Sequence, residues 1–241
     1  SIAVPFFNIT KDGNFEHKNI LNQTNTYQDL AKKLGLAEDT VINELSSARI
    51  KLLQERSKRI RPLLDDKILT SWNGLMISAM AKTGRVLEDL NRIAKAEKAV
   101  EFILSTLKTP EGKILRRFRE GEARYDGYLF DYSSIAVACL ELYEATFKPS
   151  YLSEAILLNK IMIEEFWSDE GGFYLGSDKS EQLIVRALTG YDGAIPSGNS
   201  IAAYNLLKLT RLTGEVKFAE MAEQIFKVFS NEIKMTPTGY T

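Results

Sequence analysis

The sequence contains very few of the residues that most often build redox and metal sites. Its 241 residues include one cysteine, Cys139, and one histidine, His17. A single cysteine excludes an internal disulfide, a Cys-x-x-Cys redox pair and an all-cysteine zinc site, and a single histidine excludes a histidine-rich metal site. The Gly-x-Ser-x-Gly turn that carries the nucleophile of many hydrolases is also absent. We therefore expect this chain to hold neither a metal nor a cofactor.

The sequence also lacks an excess of charge and a long apolar run. Thirty-one lysines and arginines nearly balance 32 aspartates and glutamates, which excludes a general attraction to nucleic acid or anionic lipid. The longest uncharged run, residues 193–207, has 15 residues and includes Pro196, so it is too short and too polar to cross a bilayer. We expect a cytoplasmic protein with no membrane partner. The chain starts at Ser1 with neither an initiator methionine nor a signal segment, which indicates a part of a longer protein.

A polar turn that contains a glycine recurs along the chain, at residues 10–13, 109–112, 168–171 and 236–239. Two helical patterns precede each of the last three turns. The first of each pair is rich in small and apolar residues, which is typical of an inner helix packed on several sides. The second alternates charged and apolar positions at helical spacing, which is typical of an outer helix with one solvated face.

The predicted inner helices are Trp72 to Arg85, Asp131 to Phe147 and Gly198 to Thr213. The predicted outer helices are Arg92 to Leu107, Tyr151 to Trp167 and Glu215 to Ile233. Their alternation predicts an all-α fold of helical hairpins, either an α/α toroid or an α-solenoid. Short strands are expected after Gly13, Gly112 and Gly171, at the end of the ring opposite to the inner-helix N-termini.

Similar polar segments precede the inner helices. Tyr125-Asp126-Gly127 recurs as Tyr191-Asp192-Gly193, and Asp65-Asp66 precedes the first inner helix. All inner helices of such a ring start at the same end, so these segments should meet at one rim, where helix N-termini offer unpaired N–H groups to polar ligands. The alternative is that the polar residues at these positions only cap helices.

Residues 27–62 stand outside the repeat. Their pattern resembles a helix-turn-helix. The stretch from Arg49 to Arg61 contains six basic residues and a single acidic one, Glu55. The would-be recognition helix, Thr40 to Leu53, lacks the arginine or asparagine pair near its start that base recognition would use. We therefore predict a helical hairpin with Gly35 as its C-cap and a solvated basic face, and no nucleic-acid partner.

Several motifs carry a specific family resemblance: residues 59–75 (RIRPLLDDKILTSWNGL), 13–16, 18–21, 171–173, 183–186 and 191–200 (YDGAIPSGNS). Through them the chain resembles the thioredoxin-domain-containing proteins related to spermatogenesis-associated protein and the bacterial YyaL group. The resemblance implies a thioredoxin-like domain followed by an (α/α)6 toroid similar to six-hairpin glycosidases and N-acylglucosamine epimerases. Residues 1–241 are then a single partial toroid domain with an inserted helical hairpin at 27–62, and the thioredoxin-like domain and first hairpins lie upstream.

Two functions remain open on this basis. The first is a carbohydrate-active or carbohydrate-binding toroid domain, with carboxylates flanking a glycosidic bond and aromatic residues stacking on sugar rings. The second is a non-enzymatic scaffold or ligand platform attached to a redox domain. Epimerases of this fold use histidines as acid and base, and no histidine follows His17, so epimerase chemistry is disfavoured.

The candidate catalytic residues are Asp66, Asp126 and Asp192. The candidate ligand-binding residues are the aromatic, polar and charged side chains expected near the same rim: Arg61, Asp65, Trp72, Asn73, Tyr128, Asp131, Arg186, Tyr191, Ser197 and Asn199. For Trp72 the alternative interpretation is a core aromatic residue.

An open ring should expose apolar surface where neighbouring hairpins are missing. We expect this exposure around Leu75, Met76, Leu206 and Leu207. Large contiguous apolar patches are uncommon on stable monomers. The chain is therefore expected to self-associate, for example as a two-fold homodimer.

Overall fold

Helices dominate the computed structural model of the protein, which describes residues 1–179 and 184–240. Leu183, the first residue of the motif at 183–186, lies outside the described residues. The chain divides into two units, Ser1–Asp65 and Asp66–Thr241.

The first unit is a small helical bundle. It contains α1 (Ala3–Phe6), α2 (Tyr27–Leu34) and α3 (Glu38–Ser57). The Thr26 hydroxyl accepts a hydrogen bond from the Asp29 N–H at the start of α2, and Gly35 ends that helix with a φ of 66°. The core of this unit consists of the buried side chains of Ala3, Phe6, Leu30, Ala31, Val41 and Leu45.

The second unit consists of paired helices and one small sheet. Its elements are β1 (Ile68–Leu69), α4 (Thr70–Val86), α5 (Leu90–Thr106), β2 (Leu115–Arg119), β3 (Glu122–Asp126), α6 (Leu129–Thr146), α7 (Pro149–Phe166), α8 (Gly198–Thr213), α9 (Val216–Val228), α10 (Ser230–Met235) and a 3-10 turn (Pro237–Gly239).

The predicted inner helices are confirmed as α4, α6 and α8, which pack side by side with their N-termini at one rim. Every residue of α6 from 131 to 142 is buried, as its small and apolar residues predict. Gly74 of α4 lies against the backbone of Ser134 in α6, and Gly198 of α8 lies against Leu129 at the start of α6. The close approach of these helices therefore depends on residues without a side chain.

The placement of the strands corrects the prediction. The strands form one antiparallel sheet in the order β1-β2-β3, and the N–H of Ile114 donates to the Tyr132 hydroxyl in the first turn of α6. The sheet thus lies at the rim of the inner-helix N-termini, and the prediction of the opposite end is wrong. The reason is topological: an outer helix ends at the rim where the next inner helix begins. After Gly13 and Gly171 the described residues form isolated bridges, Phe15 with Lys18, Trp167 with Phe173 and Tyr174 with Leu188.

Two further details differ from the sequence analysis. The helix predicted from Glu215 to Ile233 is interrupted at Phe229. The Phe229 ring packs tightly on Gly190: a Cβ added to Gly190 would lie 2.8 Å from ring atoms. Leu206 is fully buried in the core, so the expectation of its exposure is wrong. Met76 is 60% exposed and Leu207 40%, as expected for residues at an open edge.

We predict that Cys139 does not react with alkylating reagents in the folded protein. Its side chain is buried in α6, and burial raises the pKa of the thiol well above its ordinary value, which suppresses the reactive thiolate. Alkylation by iodoacetamide, followed by mass spectrometry, should proceed only at denaturant concentrations that unfold the protein. Rapid alkylation in native buffer would contradict this packing.

Candidate functional site

The rim near α4 and α6 is organised around the carboxylate of Asp131. Its Oδ1 accepts a hydrogen bond from the N–H of Ser71, 3.1 Å away, and its Oδ2 accepts one from the N–H of Tyr128 at 3.0 Å. Arg116 Nη1 lies 3.6 Å from Oδ2. Burial raises the pKa of Asp131, although these N–H groups and Arg116 act in the opposite direction. Asp131 is fully buried and joins two helix N-termini, so its side chain has no surface to offer a ligand.

The candidate catalytic acids of this part of the rim, Asp66 and Asp126, are exposed. Asp66 Oδ1 lies 2.7 Å from Arg119 Nε, at the end of β2. Asp126 ends β3 and pairs in register with Leu115, at the other end of β2. At about 3.3 Å per residue, Arg119 and Leu115 are about 13 Å apart along the strand, compared with ~5 to 9 Å between the carboxyl groups of glycosidases. Asp66 and Asp126 therefore lie at opposite ends of the β-hairpin.

Exposed aromatic side chains accompany these acids. Trp72, in the first turn of α4, is 61% exposed, so the core interpretation of this tryptophan is wrong. Tyr128 is 46% exposed, and its ring lies 4.8 Å from the Arg116 guanidinium. Asn73 donates from Nδ2 to the carbonyl of Leu69, which ties α4 to β1. This part of the rim thus offers flat apolar rings beside carboxylates.

Tyr125 of β3 belongs to the same surface. Its backbone has a φ of 65°, a strained conformation for a bulky residue. Its ring lies 5.0 Å from the guanidinium of Arg117, which is directly opposite Arg124 in the sheet. A hydrogen bond to Arg117, together with the charges of both arginines, lowers the pKa of Tyr125.

The polar residues near the start of α8 mainly build the backbone turn there. Asp192 is 6% exposed, and its Oδ1 accepts hydrogen bonds from the Ser197 N–H at 2.6 Å and the Ser200 hydroxyl at 2.7 Å. Ser197 caps α8 by accepting from the Ser200 N–H. Asn199 is buried. Its Oδ1 accepts a hydrogen bond from the N–H of Phe173, and its Nδ2 donates one to the carbonyl of Phe173. Tyr191, 58% exposed, is the predicted residue of this group that presents a large surface to solvent.

The two predicted arginines belong to different units. Arg186 donates to the carbonyl oxygens of Glu165 and Gly176, which anchors the segment that precedes α8. Arg61 and Asp65 belong to the first unit, where both are exposed. Arg116 and Arg119 pair with the rim acids Asp131 and Asp66 and were not among the predicted site residues. Three arginines within residues 116–119, shortly before Tyr125-Asp126-Gly127, are the sequence signal that could have identified them.

The described residues, 1–179 and 184–240, contain neither a metal cluster nor a membrane span. Among them, no group of three or more His, Cys, Asp or Glu side chains is arranged to hold a metal ion. Within the same ranges, no helix has the length and apolar character needed to span a membrane.

Comparison with known proteins relates most of the chain to one group of sequences. No family model matches. Spermatogenesis-associated protein 20 from Homo sapiens is 31% identical over 238 residues, which cover 94% of this chain. Its counterpart from Rattus norvegicus is 30% identical over 245 residues, 96% of the chain. The chain spans only 30% and 31% of the length of these two relatives.

Solved structures show the same fold at low sequence identity. A GH76 α-mannanase from Bacteroides thetaiotaomicron has a TM-score of 0.56 at 18% identity, over 69% of this chain and 46% of its own. A cellobiose 2-epimerase from Spirochaeta thermophila has a TM-score of 0.55 at 12% identity, over 68% and 43%. A family 105 glycoside hydrolase from C. acetobutylicum has a TM-score of 0.56 at 15% identity, over 86% and 61%. The fold is therefore that of a partial (α/α)6 toroid, as predicted.

Proposed function

Because the chain is a distant homologue of spermatogenesis-associated protein 20 and forms a six-hairpin glycosidase-like toroid domain, we propose that it binds a carbohydrate at the rim where α4, α6 and α8 begin. The observation that carries the proposal is the exposure of Trp72, Tyr128 and Tyr191 on this rim. Large aromatic rings are usually buried, and those that stay exposed beside polar groups suit ligands with an apolar face and a polar edge. Sugar rings have that character.

A hydrolytic role for the same rim is the finer form of the proposal. Asp66, Asp126 and Asp192 are the proposed catalytic acids, and Asp126 is the best placed of them to touch a ligand, since it is exposed between Tyr125 and Tyr128. Asp192 is nearly buried and holds the α8 turn, which favours a positioning role. A glycosidase needs one carboxylic acid and one carboxylate on either side of the bond, ~5 to 9 Å apart, and Asp66 and Asp126 lie too far apart along the β-hairpin to form that pair.

The scaffold function has its own support. The carboxylates of Asp131 and Asp192 and the amide of Asn199 accept or donate hydrogen bonds within the fold. Side chains engaged in this way stabilise loops and are poorly suited to general acid or base catalysis. On this alternative the rim is a rigid platform for another domain or ligand.

We predict that substitution of Trp72 separates these functions. A glycan array should identify a bound sugar, and Trp72→Ala should weaken that binding about tenfold, since loss of an aromatic contact worth ~1.4 kcal/mol has this effect. Phe147→Ala is the matched control, because Phe147 is 76% exposed just after the C-terminal end of α6, away from the rim. Intrinsic fluorescence provides a second readout, since the protein has only two tryptophans.

The hydrolytic form is tested on the sugar that the array identifies. Asp126→Asn should abolish any hydrolysis of that sugar, whereas Glu88→Gln, an exposed acid in the connection between α4 and α5, should leave it unchanged. Binding without hydrolysis would support a lectin-like domain. The absence of any glycan ligand would favour the scaffold, and sugar binding that Trp72→Ala leaves intact would overturn the proposed location.

A further inference from the structure

The C-terminal half of α3 in the first unit has one apolar and basic face that stays largely exposed. Every residue from 49 to 57 is exposed, whereas the first half of α3 buries Val41 and Leu45. Leu53 is 62% exposed and Leu52 40%. A helix usually gains its stability by packing such side chains, so their exposure over more than two turns indicates an interaction surface.

This face forms one wall of a groove with a volume of about 420 Å³. The residues of α3 and its C-terminal end that line the groove include Leu52, Leu53, Arg49, Arg56 and Arg59. The spacing of seven residues places Arg49 and Arg56 on one face of α3, and Arg59 follows just after the end of the helix. None of the described residues that line the groove is acidic, so all of its charged side chains are positive.

The opposite wall is a loop that its own hydrogen bonds hold in place. Asn14 Nδ2 donates hydrogen bonds to the carbonyls of Asn8 and Ile20. The Asn19 side chain accepts a hydrogen bond from the N–H of Thr10 and donates one to its carbonyl. Asn19 and Leu21 of this loop line the groove, and Leu21 is 46% exposed. The groove is therefore preformed in the unbound protein, which lowers the conformational entropy lost on binding.

Arg49 is ordered as well. Its guanidinium lies 5.7 Å from the Phe6 ring centroid and 5.8 Å from that of Phe7, and Nη1 donates to the Tyr27 hydroxyl at 3.2 Å. An arginine fixed in this way keeps its charge at the groove and loses little freedom when it pairs with a carboxylate.

We propose that this groove docks an acidic polypeptide segment with leucine-like side chains, contributed by a partner protein. The three guanidinium groups match carboxylates, and the exposed leucines on both walls match apolar side chains at helical spacing, as in helix-in-groove recognition. Nucleic acid fits less well, because its phosphates would use the arginines but leave Leu21, Leu52 and Leu53 without a partner. The proposal does not depend on the carbohydrate function of the toroid.

The test is fluorescence anisotropy with a labelled synthetic peptide that carries leucines at i, i+3 and i+7 and glutamates beside them on the same helical face. The protein should bind this peptide, and the double variant Arg56→Glu, Arg59→Glu should weaken binding at least tenfold. Lys32→Glu, Lys33→Glu is the matched control, since it makes the same charge change at exposed positions of α2 in the same unit. It should change the affinity less than twofold, and circular dichroism should show both variants folded.

Two further arms address the apolar part of the recognition. Leu53→Ser should also weaken peptide binding, and a glutamate peptide without leucines should bind at least tenfold more weakly than the probe. Equal weakening by the arginine and lysine variants would show a general charge effect and overturn the proposal. Tighter binding of a single-stranded oligonucleotide than of the peptide, or no peptide binding at millimolar concentration, would overturn it as well.

Discussion

Replacing Glu141 by leucine is expected to lower the free energy of unfolding by about 3 kcal/mol, because it breaks a buried ion-pair network. Glu141 is 2% exposed in α6, and its Oε1 accepts hydrogen bonds from Lys208 Nζ at 2.6 Å and the Tyr204 hydroxyl at 3.2 Å, both from α8. Arg85 of α4 lies 3.0 Å from Glu144, which also pairs with Lys208. The network thus joins all three inner helices.

Urea unfolding of single and double variants measures the coupling within this network. Lys208→Met should cost a similar amount, and the double variant Glu141→Leu, Lys208→Met should lose less than the sum of the two, because it removes both partners. Glu223→Ala is the control: its pair with Lys227 is on the surface of α9, so it should change stability by less than about 0.5 kcal/mol. Additive losses for the buried pair would contradict the network.

The contribution of Lys208 also has a defined pH dependence. Burial alone would lower the pKa of Lys208, but the hydrogen bonds to Glu141 and Glu144 outweigh burial and the pKa is raised. A lysine with a raised pKa in the folded state stabilises the fold fully below its unfolded pKa of about 10.4. The difference in stability between wild type and Lys208→Met should therefore shrink as the pH rises through the folded pKa.

Gly74→Ala is expected to destabilise the protein by about 2 to 3 kcal/mol, although alanine favours a helix over glycine by about 1 kcal/mol. A Cβ at Gly74 would lie 2.7 Å from the backbone carbonyl of Ser134. The backbone of a buried helix cannot shift locally, so α4 and α6 would have to separate. Thermal unfolding monitored by circular dichroism measures the loss.

A second glycine of the same helix provides the control. A Cβ at Gly84 would meet Cγ1 of Ile93 at 2.7 Å and the backbone of Asp89 and Ile93 at 3.2 Å, so its closest contact is a side-chain atom, whereas the closest contact at Gly74 is backbone. Gly84→Ala should therefore cost less than Gly74→Ala. A Gly74→Ala protein as stable as wild type would show that the approach of α4 to α6 is looser than described.

The sequence was sufficient to predict the helices and their order, because small residues and glycine turns are local signals. Inner helices such as 198–213 begin and end as predicted. The pairing of β1 with β2 was harder to predict, since Ile68 pairs with Phe118 across 50 residues of chain. No local pattern specifies a pairing at that distance.

The exposure of the candidate acids is also not specified by local sequence. Asp126 and Asp131 are five residues apart and both precede or begin an inner helix, yet Asp126 is exposed and Asp131 is fully buried. The difference arises because the backbone N–H of Ser71, 60 residues away, needs a partner at the junction of α4 and α6. Residue type and spacing identify an acid at a rim, whereas its exposure depends on the neighbouring helices.

The pairing of β1 with β2 has a consequence for how the domain unfolds. Helical hairpins in a row contact only their neighbours, and such arrays can fray from their ends one repeat at a time. Here the segment before α4 is hydrogen-bonded to the connection between α5 and α6, through Ile68 with Phe118 and Leu69 with Arg117. The first hairpin cannot detach without also breaking the strand that leads into the second. The sheet thus makes these two hairpins one cooperative unit.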